Sequence, residues 1–591
     1  MTINRRKALS LLGMGAASPV LSAGSASARE AKMAFAHGVA SGDPLADRLI
    51  IWTRVSTAAE AKPMVRWELA TDASFKSIIA KGQSVADPAR DHTIKIDVGG
   101  LKPSTDYHYR FICQGVTSPV GRGRTLPVGA VKDVVLAVAS CSLYPAGFFN
   151  AYQAIAKLER VDAVLHLGDY IYEYGAAPDD YGMSIGAKIG RITEPAHEIV
   201  SLSDYRARHG LYKSDPDLQT AHARAPWIVV WDDHETTNDG WTNGAENHQP
   251  VSEGDWAARK AVALRAYHEW MPIRDPAPGQ SLSAINRSFS FGDLATLIMT
   301  ETRLSARDEQ LTYEADLLVK GPDGKPAPDL AGFNAKLNSP SRQLMGPVQE
   351  AWLGQELDRS IKAGQTWQVL GNQVVMARVK GPQLPKVMGP EAWAAMLAKV
   401  PETYRARFAE AAELTALEIP GNLDSWDGYP AARERVYDLF KAAKAHPIVL
   451  SGDSHAFWVN DLYDASGKNR VAAEFGTTGI TSPGYGDVLP DAPLNEAYVT
   501  RNPEVLFTDQ SAKGFVLLTL TKDSARGDLM AVSTVVRKEF ETKTLASWVV
   551  APEQGGGVGP LKRVLPLRSR LDLEAATFAK RPRQRPPRPS R

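Results

Sequence analysis

The chain has 591 residues, with 68 lysines and arginines against 67 aspartates and glutamates, so its formal net charge is +1. At about 150 residues per domain, this length corresponds to roughly three to four domains, or to two if one of them is large. Because positive and negative charges balance, the chain has no excess of positive charge that would indicate nucleic-acid binding. A hydrophobic content of 44% excludes wholesale disorder. The two cysteines are too few for a disulfide framework.

The N-terminus has the layout of an export signal. Arg5-Arg6 precede a mildly apolar run over residues 9–21, and Ala26-Ser27-Ala28 is a small-x-small site that a signal peptidase accepts. Paired arginines before a weakly hydrophobic run are typical of twin-arginine signals. We therefore predict a twin-arginine signal peptide over residues 1–28, passage through the twin-arginine export machinery, and a periplasmic or secreted mature protein. A disordered, slightly basic N-terminus is the alternative.

The same apolar run bears on membrane insertion. It is too short and too rich in glycine to span a bilayer, so we predict no transmembrane segment. At the other end of the chain, residues 576–591 are basic and rich in proline. This composition predicts a disordered, solvated tail.

Residues 35–128 have the pattern of a β-domain. Residues 49–54 and 65–69 predict short strands, and the second of them alternates apolar with polar side chains. Tyr107 follows a Pro-x-Thr turn by two residues, as in the tyrosine corner of fibronectin-type domains. Cys113 falls on the same face at period two, which indicates a core cysteine. We predict an N-terminal fibronectin-type or Ig-like β-sandwich over these residues.

From residue 133 the pattern changes to that of an α/β domain, which we predict over residues 133–545. Short apolar runs of the kind that parallel sheets bury recur along it, at residues 134–139, 162–167, 227–231, 294–299, 367–370, 448–450 and 471–475. Between these runs, apolar residues recur at the spacing of α-helices, notably at residues 147–158, 256–270 and 347–363.

Ionisable residues directly follow four of these predicted strands. The four segments are Ser140-Cys141, Gly168-Asp169-Tyr170-Ile171-Tyr172, Asp232-Asp233-His234-Glu235 and Gly452-Asp453-Ser454-His455. In α/β folds, ligands bind outside the carboxyl ends of the strands. We therefore expect these loops to converge on one site at one edge of the sheet.

The order of the loops resembles the calcineurin-like metallophosphoesterases, whose pattern is Asp-x-His, Gly-Asp, Gly-Asn-His-Glu/Asp and Gly-His-x-His. Here Cys141 stands at the position of the first Asp, and Tyr172 follows the bridging aspartate. Asp233 replaces the Asn, and Asp453 replaces the first His of the last motif. This set of departures resembles the alkaline phosphatase D (PhoD) family.

Further stretches support that resemblance, which runs from about residue 35 to at least residue 521. They are Gly38-Val39-Ala40-Ser41-Gly42-Asp43-Pro44, Trp52-Thr53-Arg54 and Trp426-Asp427-Gly428-Tyr429-Pro430. The resemblance implies a metallophosphatase α/β sandwich behind the N-terminal domain. It also implies a centre that holds Fe³⁺ together with one or two Ca²⁺ ions.

The chemistry of the donors agrees with that pair of metals. One half-site would collect four ligands, three of them anionic donors that suit trivalent iron: Cys141, Asp169, Tyr172 and His455. The other half-site would share Asp169 as a bridge and add the oxygen donors Asp233 and Asp453, which favour Ca²⁺ or Mg²⁺. Asp232 could be the ligand in place of Asp233. Cys141 and Tyr172 could instead be core residues that only pack against their neighbours. The Gln373 amide could either bind Ca²⁺ through its oxygen or serve as a hydrogen-bonding group.

The resemblance implies a phosphoesterase in which a metal-activated water attacks phosphate mono- and diesters, small or polymeric. Asp169 would be catalytic as the metal bridge. In the wider superfamily the position of His234 lies beside the leaving group, although a structural histidine in a turn is the alternative. Asn238 and Arg303 are candidates to bind phosphate oxygens.

Three other functions remain open. A phospholipase-type or nuclease-type phosphodiesterase would use the same metal cage, with an apolar cleft favouring the first and a basic cleft the second. A binding protein that has lost the chemistry would show broken ligand loops. The near-neutral charge predicts no stable nucleic-acid partner.

Overall fold

The computed structural model describes residues 34–321, 324–400 and 402–565. The predicted signal peptide over residues 1–28 and the predicted tail over residues 576–591 lie outside these ranges. No helix within them has both the length and the apolar character that crossing a membrane requires.

The N-terminal part of the described chain consists of short strands. They are β1 (Val39–Gly42), β2 (Arg48–Arg54), β3 (Met64–Ala70), β4 (Ile78–Val85), β5 (Thr93–Gly99), β6 (Asp106–Cys113), β7 (Val116–Thr117) and β8 (Gly121–Arg124). One sheet has the order β4-β3-β6-β7, with β8 also paired to β6. The remaining strands, β1, β2 and β5, pair antiparallel as a second layer.

A single apolar cluster fills the space between these two layers. Leu49 and Ile51 of β2 pack with Tyr107, Phe111 and other residues of β6. The Tyr107 hydroxyl accepts a hydrogen bond from the Lys102 backbone N–H at 2.8 Å, as a tyrosine corner requires. Cys113 is buried in the same cluster, so the prediction of a core cysteine is confirmed.

The rest of the described chain alternates strands with helices. The strands are β9 (Asp133–Ala139), β10 (Ala163–His166), β11 (Trp227–Val229), β12 (Gly240–Trp241), β13 (Gly244–Ala245), β14 (Arg287–Phe291), β15 (Ala295–Met299), β16 (Leu318–Lys320), β17 (Pro326–Pro328), β18 (Trp367–Gly371), β19 (Pro447–Ser451), β20 (Phe457–Tyr463), β21 (Arg470–Gly476), β22 (Val505–Asp509), β23 (Lys513–Thr521), β24 (Ala525–Val532), β25 (Thr542–Val550) and β26 (Lys562–Val564). Each of the seven apolar runs of the α/β sequence pattern therefore overlaps a strand, although the runs at residues 162–167, 227–231 and 294–299 extend beyond theirs.

The α-helices of the described residues flank these strands. They are α1 (Asn150–Ala156), α2 (Met183–Ile189), α3 (Leu202–Lys213), α4 (Pro216–Arg224), α5 (Pro250–Glu253), α6 (Trp256–Trp270), α7 (Leu330–Leu337), α8 (Gly346–Lys362), α9 (Leu384–Met388), α10 (Pro390–Lys399), α11 (Glu402–Thr415), α12 (Pro430–Ala443), α13 (Tyr485–Val488) and α14 (Leu494–Arg501). The three helices predicted by spacing correspond to α1, α6 and α8.

Two large sheets pack face to face around the main core. The first has the order β26-β25-β24-β23-β9-β10-β11-β1-β2-β5, and the second has the order β14-β15-β18-β19-β21-β20-β22. Apolar side chains of both sheets, such as Val138 and Leu165 from the first and Val369 and Phe475 from the second, belong to one buried cluster.

This arrangement corrects two expectations. The four polar loops follow strands of two sheets and not of one, because β19 belongs to the second sheet while β9, β10 and β11 belong to the first. The predicted domain end at residue 545 falls inside β25, which pairs with both β24 and β26. That strand begins with exposed residues, and its buried apolar residues, such as Trp548 and Val550, come after residue 545.

A buried ion pair lies where the N-terminal strands join the first large sheet. Gly42 of β1 aligns with Trp227 of the parallel strand β11. The next residue, Asp43, is only 1% exposed and accepts hydrogen bonds from the Arg287 guanidinium at 2.8 and 3.0 Å. It also accepts one from the Arg274 backbone N–H at 2.8 Å. The carboxylate therefore connects two distant segments of the chain.

Replacing this carboxylate should destabilise the fold. We expect Asp43→Asn to lower the free energy of unfolding by about 2 kcal/mol, because the buried carboxylate loses its charge-assisted hydrogen bonds to Arg287, whose side chain is 21% exposed. The measurement is urea denaturation followed by circular dichroism. Asp47→Asn is the matched control, since the Asp47 side chain is 60% exposed and should cost less than about 0.5 kcal/mol. Equal effects of the two substitutions would contradict this role for Asp43.

Candidate metal centre

The four polar loops meet at the edge where the two large sheets adjoin. The Cys141 N–H donates to the Gly168 carbonyl at 3.2 Å, and the Ser142 N–H donates to the Asp169 carbonyl at 2.9 Å. The Asp233 carboxylate accepts from the Asp239 N–H at 2.6 Å within the third loop. The loop after β19 contributes Asp453 and His455, and both side chains are buried with the others.

Glu235 holds two of these loops together. Its carboxylate accepts hydrogen bonds from three backbone N–H groups, those of Asp169 at 3.0 Å, Tyr170 at 2.5 Å and Asp232 at 2.8 Å. Burial raises the pKa of Glu235 to about 7. Because all three donors are backbone groups of the second and third loops, Glu235 fixes the spacing of the loops that carry the aspartates.

The backbone of the site is strained. Cys141, Asp169, Asp453 and His455 have φ values of 59°, 56°, 58° and 59°, in the left-handed region that non-glycine residues rarely adopt. Such conformations cost roughly 1–3 kcal/mol each and persist at functional sites, where the surrounding structure enforces them. Four of them in one cluster indicate that the fold gives up stability to aim these side chains inward.

Gly168 shows how closely the loops approach each other. A Cβ atom at this position would lie 2.3 Å from the Cβ of Asp232 and 2.4 Å from its backbone nitrogen. Its φ of 111° is also unfavourable for other residues. The Gly-Asp sequence is therefore required for the second and third loops to touch.

The structure brings together the residues that were predicted for the first half-site. Potential ligand atoms of Cys141, Asp169 and His455 lie within 4.8 Å of one another. The Tyr172 hydroxyl donates to Asp169 Oδ2 at 2.8 Å and lies 3.3 Å from His455 Nε2. All four side chains are buried. A further hydroxyl, that of Ser482, lies 2.7 Å from the Tyr172 oxygen, and no motif in the sequence indicated it.

The second half-site is assembled from the remaining aspartates. Asp232, Asp233 and Asp453 form one group with ligand atoms within 4.8 Å, and Asp169, Asp233 and His234 form another. Asp169 therefore belongs to two of these three groups, and its role as a bridging ligand stays a prediction. The choice between Asp232 and Asp233 stays open, although Asp232 Oδ1 already accepts from Arg303 Nε. We refer to these overlapping clusters as the metal-ligand groups.

The metal-ligand groups fit a cation. Asp169 Oδ1 and Asp232 Oδ2 are buried and have no hydrogen-bond partner among the described residues. Burial raises the pKa of Asp169 well above its ordinary value, and the neighbouring charge of Asp233 adds to this effect. Burial also raises the pKa of the Cys141 thiol and of the Tyr172 phenol well above their ordinary values. A bound cation would favour the ionised forms of these donors and pair the unused oxygens.

Arg303 is completely buried against the same carboxylates. Its guanidinium contacts Asp232 and donates to Asp424 at 2.7 Å, and it lies 3.7 Å from both Asp233 and Asp453. Its Nε and Nη1 atoms donate to carboxylates, whereas Nη2 is buried and has no hydrogen-bond partner among the described residues. The role of Arg303 as a phosphate-binding residue stays a prediction. Asp424 was not identified in the sequence, and the available signal was its position two residues before the Trp426-Asp427-Gly428-Tyr429-Pro430 stretch.

Glu173 is a second residue that sequence reasoning missed. Its carboxylate lies 2.7 Å from His234 Nδ1 and accepts from the Asn247 side chain at 2.7 Å. Burial alone would raise the pKa of Glu173, but the charge of His234 and these hydrogen bonds lower it to about 2. Its position directly after Tyr172 was the available signal.

The same carboxylates act on His234. Burial disfavours its charged form, yet Asp233 and Glu173 outweigh this effect and raise the pKa of His234 well above its ordinary value. The side chain is buried and belongs to one of the metal-ligand groups. The contact with Glu173 and the nearby aspartates therefore favour an oriented histidine of the site over a structural one in a turn.

Two other predicted residues lie near the cluster in supporting positions. The Asn238 N–H donates to Glu173 at 3.1 Å, and its side-chain amide donates to Glu246 at 3.2 Å. The Gln373 amide accepts from the Thr302 hydroxyl at 2.5 Å and donates to the Thr300 carbonyl at 2.7 Å. Both ends of Gln373 are thus engaged, which favours the hydrogen-bonding role over a Ca²⁺ ligand.

The chain is similar to known phosphatases over most of its length. Residues 136–529 match the family described as PhoD-like phosphatase, and residues 21–127 match the PhoD-like phosphatase N-terminal domain. Alkaline phosphatase D from Bacillus subtilis (strain 168) is 35% identical over 539 residues, which cover 88% of this chain and 82% of that protein. A solved structure described as the structure of PhoD superposes with a TM-score of 0.72 at 31% identity, covering 93% of this chain and 94% of that one.

Substitution of the shared aspartate should remove bound metal. We expect purified Asp169→Asn to carry less than half of the metal found in the unsubstituted protein, as measured by inductively coupled plasma mass spectrometry. The midpoint of thermal unfolding of the metal-free protein should stay unchanged or rise, because an uncompensated buried carboxylate is costly. Asp179→Asn, at an exposed position ten residues on, is the control. Full metal content in Asp169→Asn would contradict the assignment of Asp169 as the shared ligand.

Proposed function

The chain belongs to the PhoD-like phosphatase family and is a phosphoric ester hydrolase, and from this premise we propose that it is an exported enzyme that hydrolyses phosphate mono- and diesters at the metal-ligand groups around Asp169. The observation that carries the proposal is the sharing of Asp169 between two ligand clusters. A bridging carboxylate is the arrangement by which two ions are held close enough to act on one phosphoryl group.

The donor sets support Fe³⁺ in one half-site and one or two Ca²⁺ ions in the other. Cys141, Tyr172 and His455 would hold the iron together with Asp169, since sulfur, phenolate and imidazole donors suit a transition metal. Asp233 and Asp453 would hold calcium through oxygen donors alone. When bound, the ions would stabilise the charge on the phosphoryl oxygens and lower the pKa of a water nucleophile.

The residues of the chain itself would position and protonate the substrate. His234 is oriented by Glu173 through the 2.7 Å contact at Nδ1, which leaves Nε2 to face the reacting groups. Asp233 and Glu173 raise the pKa of His234, which favours the protonated form of the ring. We assign His234 as the general acid that protonates the leaving alcohol oxygen, and Glu173 as its positioning residue.

Asn238 and Arg303 complete the proposed substrate site. Arg303 would contribute positive charge behind the aspartates, and Asn238 would contact a phosphate oxygen at the border of the cluster. The finer fold assignment, a fibronectin-type sandwich before a metallophosphatase domain, is part of the same proposal. It is supported by the tyrosine-corner hydrogen bond and by the two-layer core of the N-terminal strands.

A phospholipase-type phosphodiesterase is the second candidate, and a cavity beside the site favours it over a nuclease. The residues of this cavity nearest the aspartates are acidic or neutral, among them Asp239, Glu246 and Asp424. A nuclease needs positive charge along the nucleic-acid backbone. The family membership of the chain argues against a binding protein without activity.

Removal of Ca²⁺ tests the proposed function directly. We expect hydrolysis of a chromogenic phosphate monoester to fall at least tenfold after treatment with a Ca²⁺-selective chelator, because the oxygen-donor half-site would be emptied. Adding Ca²⁺ back should restore the rate, whereas adding Zn²⁺ should not. Protein in which iron alone remains serves as the comparison. Hydrolysis that is unaffected by chelation would contradict calcium in this half-site.

The role of Glu173 predicts a change in the pH profile. Removing its charge with Glu173→Gln makes the imidazolium of His234 less favourable, so its pKa falls. The alkaline limb of the kcat/KM profile should then move at least one pH unit toward lower pH, because the acid form is lost earlier as the pH rises. Glu159→Gln, at an exposed position, should leave the profile in place. A uniform loss of activity with an unmoved alkaline limb would mean that Glu173 does not act through His234.

A further inference from the structure

An apolar cavity of about 210 Å³ lies beside the metal-ligand groups. Its walls include six apolar side chains from helices α9, α10, α11 and α14 and from the segments between helices, namely Leu384, Trp393, Leu414, Ile419, Leu489 and Leu494. We call this cavity the apolar chamber. Phosphoester chemistry needs charged groups, so the chemistry at the aspartates does not explain this lining.

The wall of the apolar chamber adjoins the metal-ligand groups. Asp239 lines the chamber, and its backbone N–H donates to Asp233 Oδ2 at 2.6 Å. Asp424 lines it as well and accepts from Arg303 at 2.7 Å, and Arg303 in turn contacts Asp232. Asp239 thus contacts one aspartate of the site, and Asp424 is separated from another by Arg303 alone. Asn238, the predicted phosphate-binding residue, also lines the chamber, so a substrate held between Asn238 and the aspartates would have its alcohol-side group next to the chamber.

The distribution of charge in the chamber defines what enters it. Among the described residues that line the chamber there is no lysine and no arginine, and its acidic residues lie at the end nearest the aspartates. The chamber offers no positive charge to an anion, so the phosphate group of a substrate would bind at the metal-ligand groups, where cations would be held. The chamber receives the uncharged part of the molecule. A hydroxyl-rich group such as a sugar would lose hydrogen bonds to water against these apolar walls.

The volume limits the size of that uncharged part. An apolar cavity of about 150 Å³ lined by leucine, isoleucine and phenylalanine is large enough to bind benzene. A chamber of about 210 Å³ therefore accommodates one aromatic ring or a short alkyl chain.

We propose that the apolar chamber binds the alcohol-side group of the substrate, so that the preferred substrates are phosphate esters of apolar alcohols. This inference rests on the proposed function, because it names the substrate class of the same site. Each methylene group that moves from water into the chamber should strengthen binding about fourfold, until the chamber is full.

The first test uses the unsubstituted holoenzyme and n-alkyl phosphate monoesters from methyl to octyl, each below its critical micelle concentration. We expect kcat/KM to rise about fourfold per methylene group over the first several carbons and then to level off. Glycerol phosphate, which has hydroxyl groups in place of an apolar chain, should be no better than methyl phosphate. Equal values along the series would overturn the inference.

The second test measures binding without turnover. Isothermal titration calorimetry of n-alkylphosphonates with the holoenzyme should show affinity that rises with chain length in the same way. Leu414→Glu places a charge in the chamber wall and should reduce the ratio of hexyl to methyl affinity toward one. Val348→Glu is the matched control, because Val348 is an exposed residue on α8, away from the chamber, and the ratio should stay unchanged.

The two tests separate failure of the inference from failure of the proposed function. If no phosphate ester is hydrolysed, the proposed function is wrong, while chain-length-dependent phosphonate binding would still support the chamber. If all esters are hydrolysed equally and phosphonate affinity ignores chain length, the proposed function stands and the inference is overturned. A chain-length dependence that survives Leu414→Glu would also overturn it, because the chain would then bind elsewhere.

Discussion

The burial of four aspartates at one point is the constraint on which the rest of the site depends. Asp169, Asp232, Asp233 and Asp453 are each at most 1% exposed, and their ligand atoms overlap in groups only a few ångströms across. Removing an ionised carboxylate from water costs several kcal/mol, and like charges at such distances add to that cost. The charges of Arg303 and His234 offset part of it. Bound cations are the natural source of the remainder.

Backbone contacts hold the loops in place against this repulsion. Glu235 ties the second and third loops together through three N–H groups, and Gly168 allows them to touch. Four neighbouring residues hold left-handed backbone conformations that only a rigid surrounding structure can maintain. The two large sheets supply that rigidity, because the loops begin at the ends of strands that are buried on both faces. The site therefore lowers the free energy of unfolding but holds its side chains in well-defined positions.

Chemistry and substrate choice come from different parts of the fold. The strand ends provide the ligands, and His234 takes its orientation from Glu173, which lies in the loop after β10. The apolar chamber is instead built by α9, α10, α11 and α14, together with the segments between helices. These helices lie outside the two large sheets, so their side chains can change without altering the ligands. This separation explains how a phosphatase core can serve esters of different alcohols.

The sequence by itself predicted nine of the strands, the order of the polar loops and six candidate metal ligands. Hydrophobic periodicity reports burial of a segment, and in α/β proteins polar residues at strand ends mark the edge where ligands bind. The tyrosine corner was equally readable, because the turn and Tyr107 are close in the chain. Only the tertiary structure showed that β19 belongs to a second sheet, that Glu173 orients His234 and that Arg303 joins Asp232 to Asp424. The apolar chamber also emerged only there. Each of these features depends on segments far apart in the chain, and periodicity carries no information about which of them meet.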